Sequence, residues 1–169
     1  MEVIENSAKK MLEFWGKQNI FSPSNSLDDI LYFEFSKTVQ LPEDFRRLFM
    51  MTNGMVNLFP NYFDSEGFLF YPLQEITTLE EEFNIERDSS DEHCLIFAEF
   101  MHKSWWYAVK FSKSADGYEI GIIPAAYKFK VITKNLVDFI DLYLKNATIL
   151  YEYWWKAFAF LLDDPWSKS

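Results

Sequence analysis

Three apolar, aromatic-rich stretches follow one another so closely between residues 94 and 123 that they dominate what this chain can fold into. They are Cys94 to Met101, Trp105 to Phe111 and Tyr118 to Ile123. The links between them, Met101-His102-Lys103-Ser104 and Ser112 to Gly117, are polar and of hairpin length. The spacing therefore predicts an antiparallel meander. In the middle stretch Trp105, Tyr107, Val109 and Phe111 alternate with Trp106, Ala108 and Lys110. That period of two suits a sheet with one face on helices and the other only partly wet. Gly67 to Tyr71, bounded by Gly67 and Pro72, reads as a short strand, and Tyr127 to Ile132 is a further strand candidate.

Helical patterns flank this block. Ile4, Ala8, Met11, Leu12 and Trp15 stripe a helix from about Glu2 to Lys17. Residues 41 to 54 spell a short helix with both ends marked. Pro42 suits the first helical position, Glu43 and Asp44 meet the positive end of the dipole, and Phe45, Leu48 and Phe49 form one apolar face. Asn53-Gly54 supplies residues that tolerate positive φ after the last turn. Ser26 with Asp29 marks a brief capped turn, and Tyr32 to Phe35 reads as a short strand. Thr77 and Glu80 have capping-box spacing before an acidic helix that buries Leu79, Phe83 and Ile76. Leu136, Phe139, Ile140, Tyr143 and Leu144 stripe a later helix. The stretch 149–162 is apolar almost all round, as a helix is when buried or covered by a partner. Helices, a meander, then helices make an α+β domain.

At 169 residues the chain is one domain. No repeat or Pro/Gly/Ser-rich linker divides it. Sixteen basic against 26 acidic residues give a net charge of −10. Such a surface repels nucleic acid and anionic lipid and favours basic protein partners, although acidity also serves plain solubility. The single cysteine, Cys94, fits a reducing compartment. The N-terminus lacks a basic region leading into an apolar run, and residues 148–162 are broken by Glu152 and Lys156 and too short for a span. The reading is a soluble, cytoplasmic protein.

Several of these segments resemble the SUKH superfamily, the Smi/Knr type of domain. Leu41-Pro42-Glu43-Asp44-Phe45 leading to Asn53-Gly54 is similar to its central helix and Asn-Gly ending. Ile96-Phe97-Ala98-Glu99 before Trp105-Trp106-Tyr107-Ala108-Val109 resembles its meander, and Gly121-Ile122-Ile123-Pro124 with Phe139 to Leu144 resembles its closing strand and helix. The likeness covers about residues 25 to 145, and 148–162 stands outside it as an added C-terminal helix. It implies helices packed on one face of a mainly antiparallel sheet, and a non-enzymatic protein-binding role. Bacterial members resemble immunity proteins that block a toxin domain, frequently a nuclease. Fungal members regulate cell-wall glucan synthesis, which is the alternative. The superfamily shares no catalytic constellation.

The residues themselves supply no obvious chemistry. His93, Cys94 and His102 lack zinc-type spacing, and His93 and Cys94 face opposite ways on a strand. No glycine-flanked serine elbow, phosphate-cradling loop or dinucleotide fingerprint is present. Neither a cofactor nor a catalytic residue is therefore assigned. The densest acidic run, Glu80, Glu81, Glu82, Glu86, Asp88, Asp91 and Glu92, is either a solvated face or a surface for a basic toxin domain. Trp105 and Trp106 point to opposite faces, so both are core or Trp106 is an exposed anchor. Tyr151, Tyr153, Trp154, Trp155 and Phe158 mark a homodimer surface or pack back on the domain. A small-molecule pocket between sheet and helices stays open as a third class.

Overall fold

The computed structural model describes residues 2–87, 91–113, 117–124 and 128–151, and all statements below concern these. The meander is present and antiparallel throughout. Strands β1 (Phe68–Phe70), β2 (Thr77–Thr78), β3 (Glu92–Phe100), β4 (Trp105–Ser112), β5 (Tyr118–Ile123) and β6 (Lys130–Thr133) run in the order β1-β3-β4-β5-β6, and β2 also pairs with β3. Helices α1 (Glu2–Gly16), α2 (Leu27–Lys37), α3 (Glu43–Met51), α4 (Leu79–Phe83) and α5 (Leu136–Leu144) complete an α+β fold.

The period-two alternation of β4 decides which rings enter the main core. Tyr107, fully buried, stacks on Phe68 and meets Phe139 edge-on. Its hydroxyl accepts from Trp105 Nε1 at 2.8 Å and donates to the Leu150 carbonyl at 2.9 Å. A bulge in β3 shifts the register between Ile96 and Ala98. Phe97 thereby joins the helix face against Phe45, Phe70 and Phe139, while Glu99 pairs with Trp106 on the opposite face.

Above this sheet α1 buries Ile4, Ala8, Met11 and Trp15, and α5 buries Leu136, Phe139, Ile140 and Tyr143. These stripes match the helical spacings in the sequence. The tight turn of the β3–β4 hairpin holds Met101, His102 and Lys103 all at positive φ. It is closed by the Ser104 amide on the Phe100 carbonyl.

Three local expectations change. Tyr32 to Phe35 is not a strand but the middle of α2. Ser26 and Asp29 form a complete capping box, and the helix runs on to Thr38, which ends it in the left-handed region. What holds it helical is the stripe Ile30, Phe33, Glu34 and Lys37, turned towards the body of the domain. Asn53-Gly54 does not end α3 by positive φ at both residues. Thr52 is extended, and Gly54 alone has φ +62. A Cβ at Gly54 would overlap the Tyr71 carbonyl oxygen, so glycine here lets the chain lie against β1. Asn53 accepts from the Leu73 amide at 2.7 Å. The capping box of α4 is Thr78 with Glu81, one residue later than the sequence spacing suggested, and Thr77 instead donates its hydroxyl to Glu81 at 3.0 Å.

Residues Thr148–Leu150 form a single 3-10 turn with Leu150 buried. The remainder of the expected C-terminal helix, with Tyr153, Trp154, Trp155 and Phe158, lies outside the described residues. So does any dimer surface on it. No described helix is long and apolar enough to cross a membrane.

Candidate protein-binding surface

Buried polar groups pin the loops around the core. Tyr143 donates to Asp64 Oδ2 and accepts from Trp15 Nε1 at 2.8 Å. Asp64 Oδ1 also receives the Phe68 amide at 2.8 Å and the Glu66 amide at 3.0 Å. Tyr71 donates to Glu99 on the other face. Burial, then the Glu99 bond, pushes the Tyr71 phenol far up, so it stays a donor. Each of these acids is satisfied within the protein.

Three acids of the run meet the domain's own lysines. Glu81 meets Lys37 at 2.7 Å, Glu82 meets Lys103 at 2.6 Å, and Glu92 lies 3.8 Å from Lys110. Burial works against the Glu81 charge, yet Lys37, the Thr78 amide and the Thr77 hydroxyl together hold its carboxyl below the usual range. Glu80, Glu86 and Asp91 enter no ion pair among the described residues, and Glu86 and Asp91 are exposed. Asp88 lies outside the described residues. The run is thus part tether and part free charge.

Trp106 is no exposed anchor. Only 9% of it is accessible, and Phe83 of α4 meets its ring edge-on with centroids 4.8 Å apart. Both tryptophans of the pair are core, because α4 covers the second sheet face where Trp106 emerges.

The histidines and the thiol stand apart in role. His93 Nδ1 lies 3.1 Å from Arg87, and burial, then Arg87 and Lys113, lowers its pKa. His102 packs edge-on to Phe63. Burial, with Glu80 adding, pushes the Cys94 thiol up to about 12, which makes it a poor nucleophile. Among the described residues no group of three His, Cys, Asp or Glu side chains is placed to hold a metal.

Aromatic rings fill the space between sheet and helices, with Phe68 touching Phe70, Tyr107 and Tyr143, and Phe70 touching Tyr143. One cleft of about 520 Å³ opens instead at the rim, between Leu41 to Asp44 and the β4–β5 end at Phe111, Ser112 and Tyr118. Tyr118 there donates to Asp44 at 2.7 Å and accepts from the Leu136 amide, so its hydroxyl is already used.

The surface that the sequence reading missed is the outer side of α2. Ile30, Phe33 and Glu34 turn inward, and Glu34 accepts from the Leu41 amide and both arms of Arg46 at 2.6 to 2.7 Å. Leu27, Leu31 and Phe35, four residues apart, and Tyr32 beside them then face solvent. Their exposures are 53%, 47%, 83% and 74%. The signal was present in the sequence: a helix apolar on both sides, once the Ser26–Asp29 box is read as a helix start. Compared with protein-family models, with curated proteins and with solved structures, the chain matches none of them.

Proposed function

We propose that this chain is a non-enzymatic protein-binding module of the immunity type, which covers and blocks a toxin domain in the cytoplasm. The observation that carries the reading is the row of large apolar side chains that α2 presents to solvent. The largest apolar patch on a monomer is often a functional contact, and aromatic side chains are enriched among the residues that carry such contacts. The net charge of −10 supports a basic target such as a nuclease, because it accelerates encounter. The SUKH-like segments at 41–54, 96–109 and 121–144 supply the immunity reading.

Co-expression tests it. The gene directly upstream, if it encodes a large toxin, kills the host alone and spares it when this chain is produced. Continued killing, with no complex between the two products, overturns the immunity role. A resident wall-synthesis protein recovered as the partner would establish the regulator alternative in its place.

A further inference from the structure

The outward face of α2 has a definite chemistry, and from it we infer that this face docks a basic, apolar-studded surface of another protein and not a second copy of this chain. The inference rests on the protein-binding reading above and names the surface and the kind of partner.

The apolar part comes first. Leu27, Leu31 and Phe35 recur at intervals of four along an 11-residue helix, with Tyr32 adjoining, so they form one continuous arc. From their exposures, the four side chains present about 500 Å² of largely apolar surface. That equals the largest patches typical of monomers. A stable interface of any kind buries roughly 800 Å² per partner, so the arc is the apolar centre of a wider contact to which its surroundings also contribute.

Charge selects which partner. Lys37 at the end of α2 is neutralised by Glu81, and Arg46 of α3 beside it by Glu34. Asp28 lies inside the arc and Asp29 at its edge, both exposed, and neither enters an ion pair among the described residues. The Ser26 hydroxyl, then its amide, lowers the Asp29 pKa, so this charge is fixed. The exposed face of α2 is thus apolar along its length with two carboxylates in its first turn, of which Asp29 also caps the helix. A second copy of this chain would bring together two molecules that each carry −10, which opposes self-association. A surface with Lys or Arg set among aliphatic side chains meets both properties at once.

The probe is a helical peptide of about 18 residues with Leu at the i, i+3, i+4 and i+7 positions and Lys and Arg elsewhere. Its control carries Glu at the basic positions. Binding is followed by amide chemical shifts of the intact protein, with sedimentation giving the oligomeric state. The basic peptide should shift α2 amides, and the acidic one should not. Phe35→Ser and Tyr32→Ser, which remove exposed rings and keep the net charge, should each weaken binding at least about tenfold. Asp28→Asn should weaken it less, and raising salt to about 0.5 M should erode the remainder. Circular dichroism of each variant verifies that the fold is kept.

Four outcomes overturn the inference: no binding, equal binding of both peptides, shifts centred on 80–92 with the ring variants unaffected, and dimerisation of the free protein through α2. Toxin rescue reads the function through whatever surface is used. Rescue that survives Phe35→Ser and Tyr32→Ser together would sink the α2 assignment and leave the immunity reading standing. Failure of the unmodified chain to rescue, with the basic peptide still bound at α2, would do the reverse.

Discussion

Removing one oxygen atom, by Tyr143→Phe, should cost this protein about 3 kcal/mol at pH 7. Tyr143 is 1% exposed, and its ring packs against Phe14, Phe68 and Phe70. Phenylalanine keeps all of that packing. What disappears is the hydroxyl that donates to Asp64 and accepts from Trp15 Nε1. Two groups buried in the fold, one of them a carboxylate oxygen, then lack a partner. Each orphan costs about 1–3 kcal/mol, so the sum is near 3. For a domain of this size that lowers Tm by about 6–12 °C.

The pH dependence has a definite sign. Burial raises the Asp64 pKa, while the Tyr143 phenol and the Phe68 and Glu66 amides work against the rise. A folded pKa above the unfolded one gives stability that is complete below about pH 4 and is lost as pH rises through the folded value. Losing the phenol raises Asp64 further. The variant's deficit should therefore be larger at pH 7 than near pH 4. Urea denaturation at both pH values measures it, and Asp64→Asn with the double variant gives the coupling. A loss below about 1 kcal/mol at pH 7, or a deficit that grows towards acid, refutes the reasoning.

Other outcomes follow from the same geometry. Glu34→Gln breaks the two-armed Arg46 contact that joins α2 to α3, and since Arg46 is partly exposed the cost is about 2 kcal/mol by chemical denaturation. Gly54→Ala forces a Cβ into the Tyr71 carbonyl at φ +62, so it should lose about 3 kcal/mol or more, against less than about 1 for Gly16→Ala, where the space is open. With its thiol pushed up by burial, native Cys94 should react with a disulfide reagent at pH 8 at least about tenfold more slowly than the urea-unfolded chain. Ready labelling of the native thiol would contradict that. His93, its pKa lowered by burial and by Arg87, should stay neutral to a lower pH than His in a peptide, as its ring proton shifts will report.

The sheet was legible because a period of two over Trp105 to Phe111, with short polar links on either side, admits few other arrangements. The α1, α3 and α5 stripes were legible for the same kind of reason: one wet face and one dry. Segment Leu27–Lys37 was not. A helix apolar on both sides has no clear 3.6-residue period, and Tyr-Phe-Glu-Phe within it imitates strand alternation. Only the Ser26–Asp29 box separates the two readings, and it fixes the start without fixing the length. The acidic run looked like free charge because sequence cannot place Lys37 and Lys103 beside Glu81 and Glu82. Trp106 needed α4 to be positioned before its burial was decidable.

The most direct measurement mixes the purified chain with the product of the gene directly upstream, which the proposed immunity role requires to be a toxin, in a calorimeter at low and at physiological salt. A one-to-one complex that weakens as salt rises is the predicted result. Absence of binding heat under both conditions, with the toxin fully active beside an excess of this chain, would contradict the account.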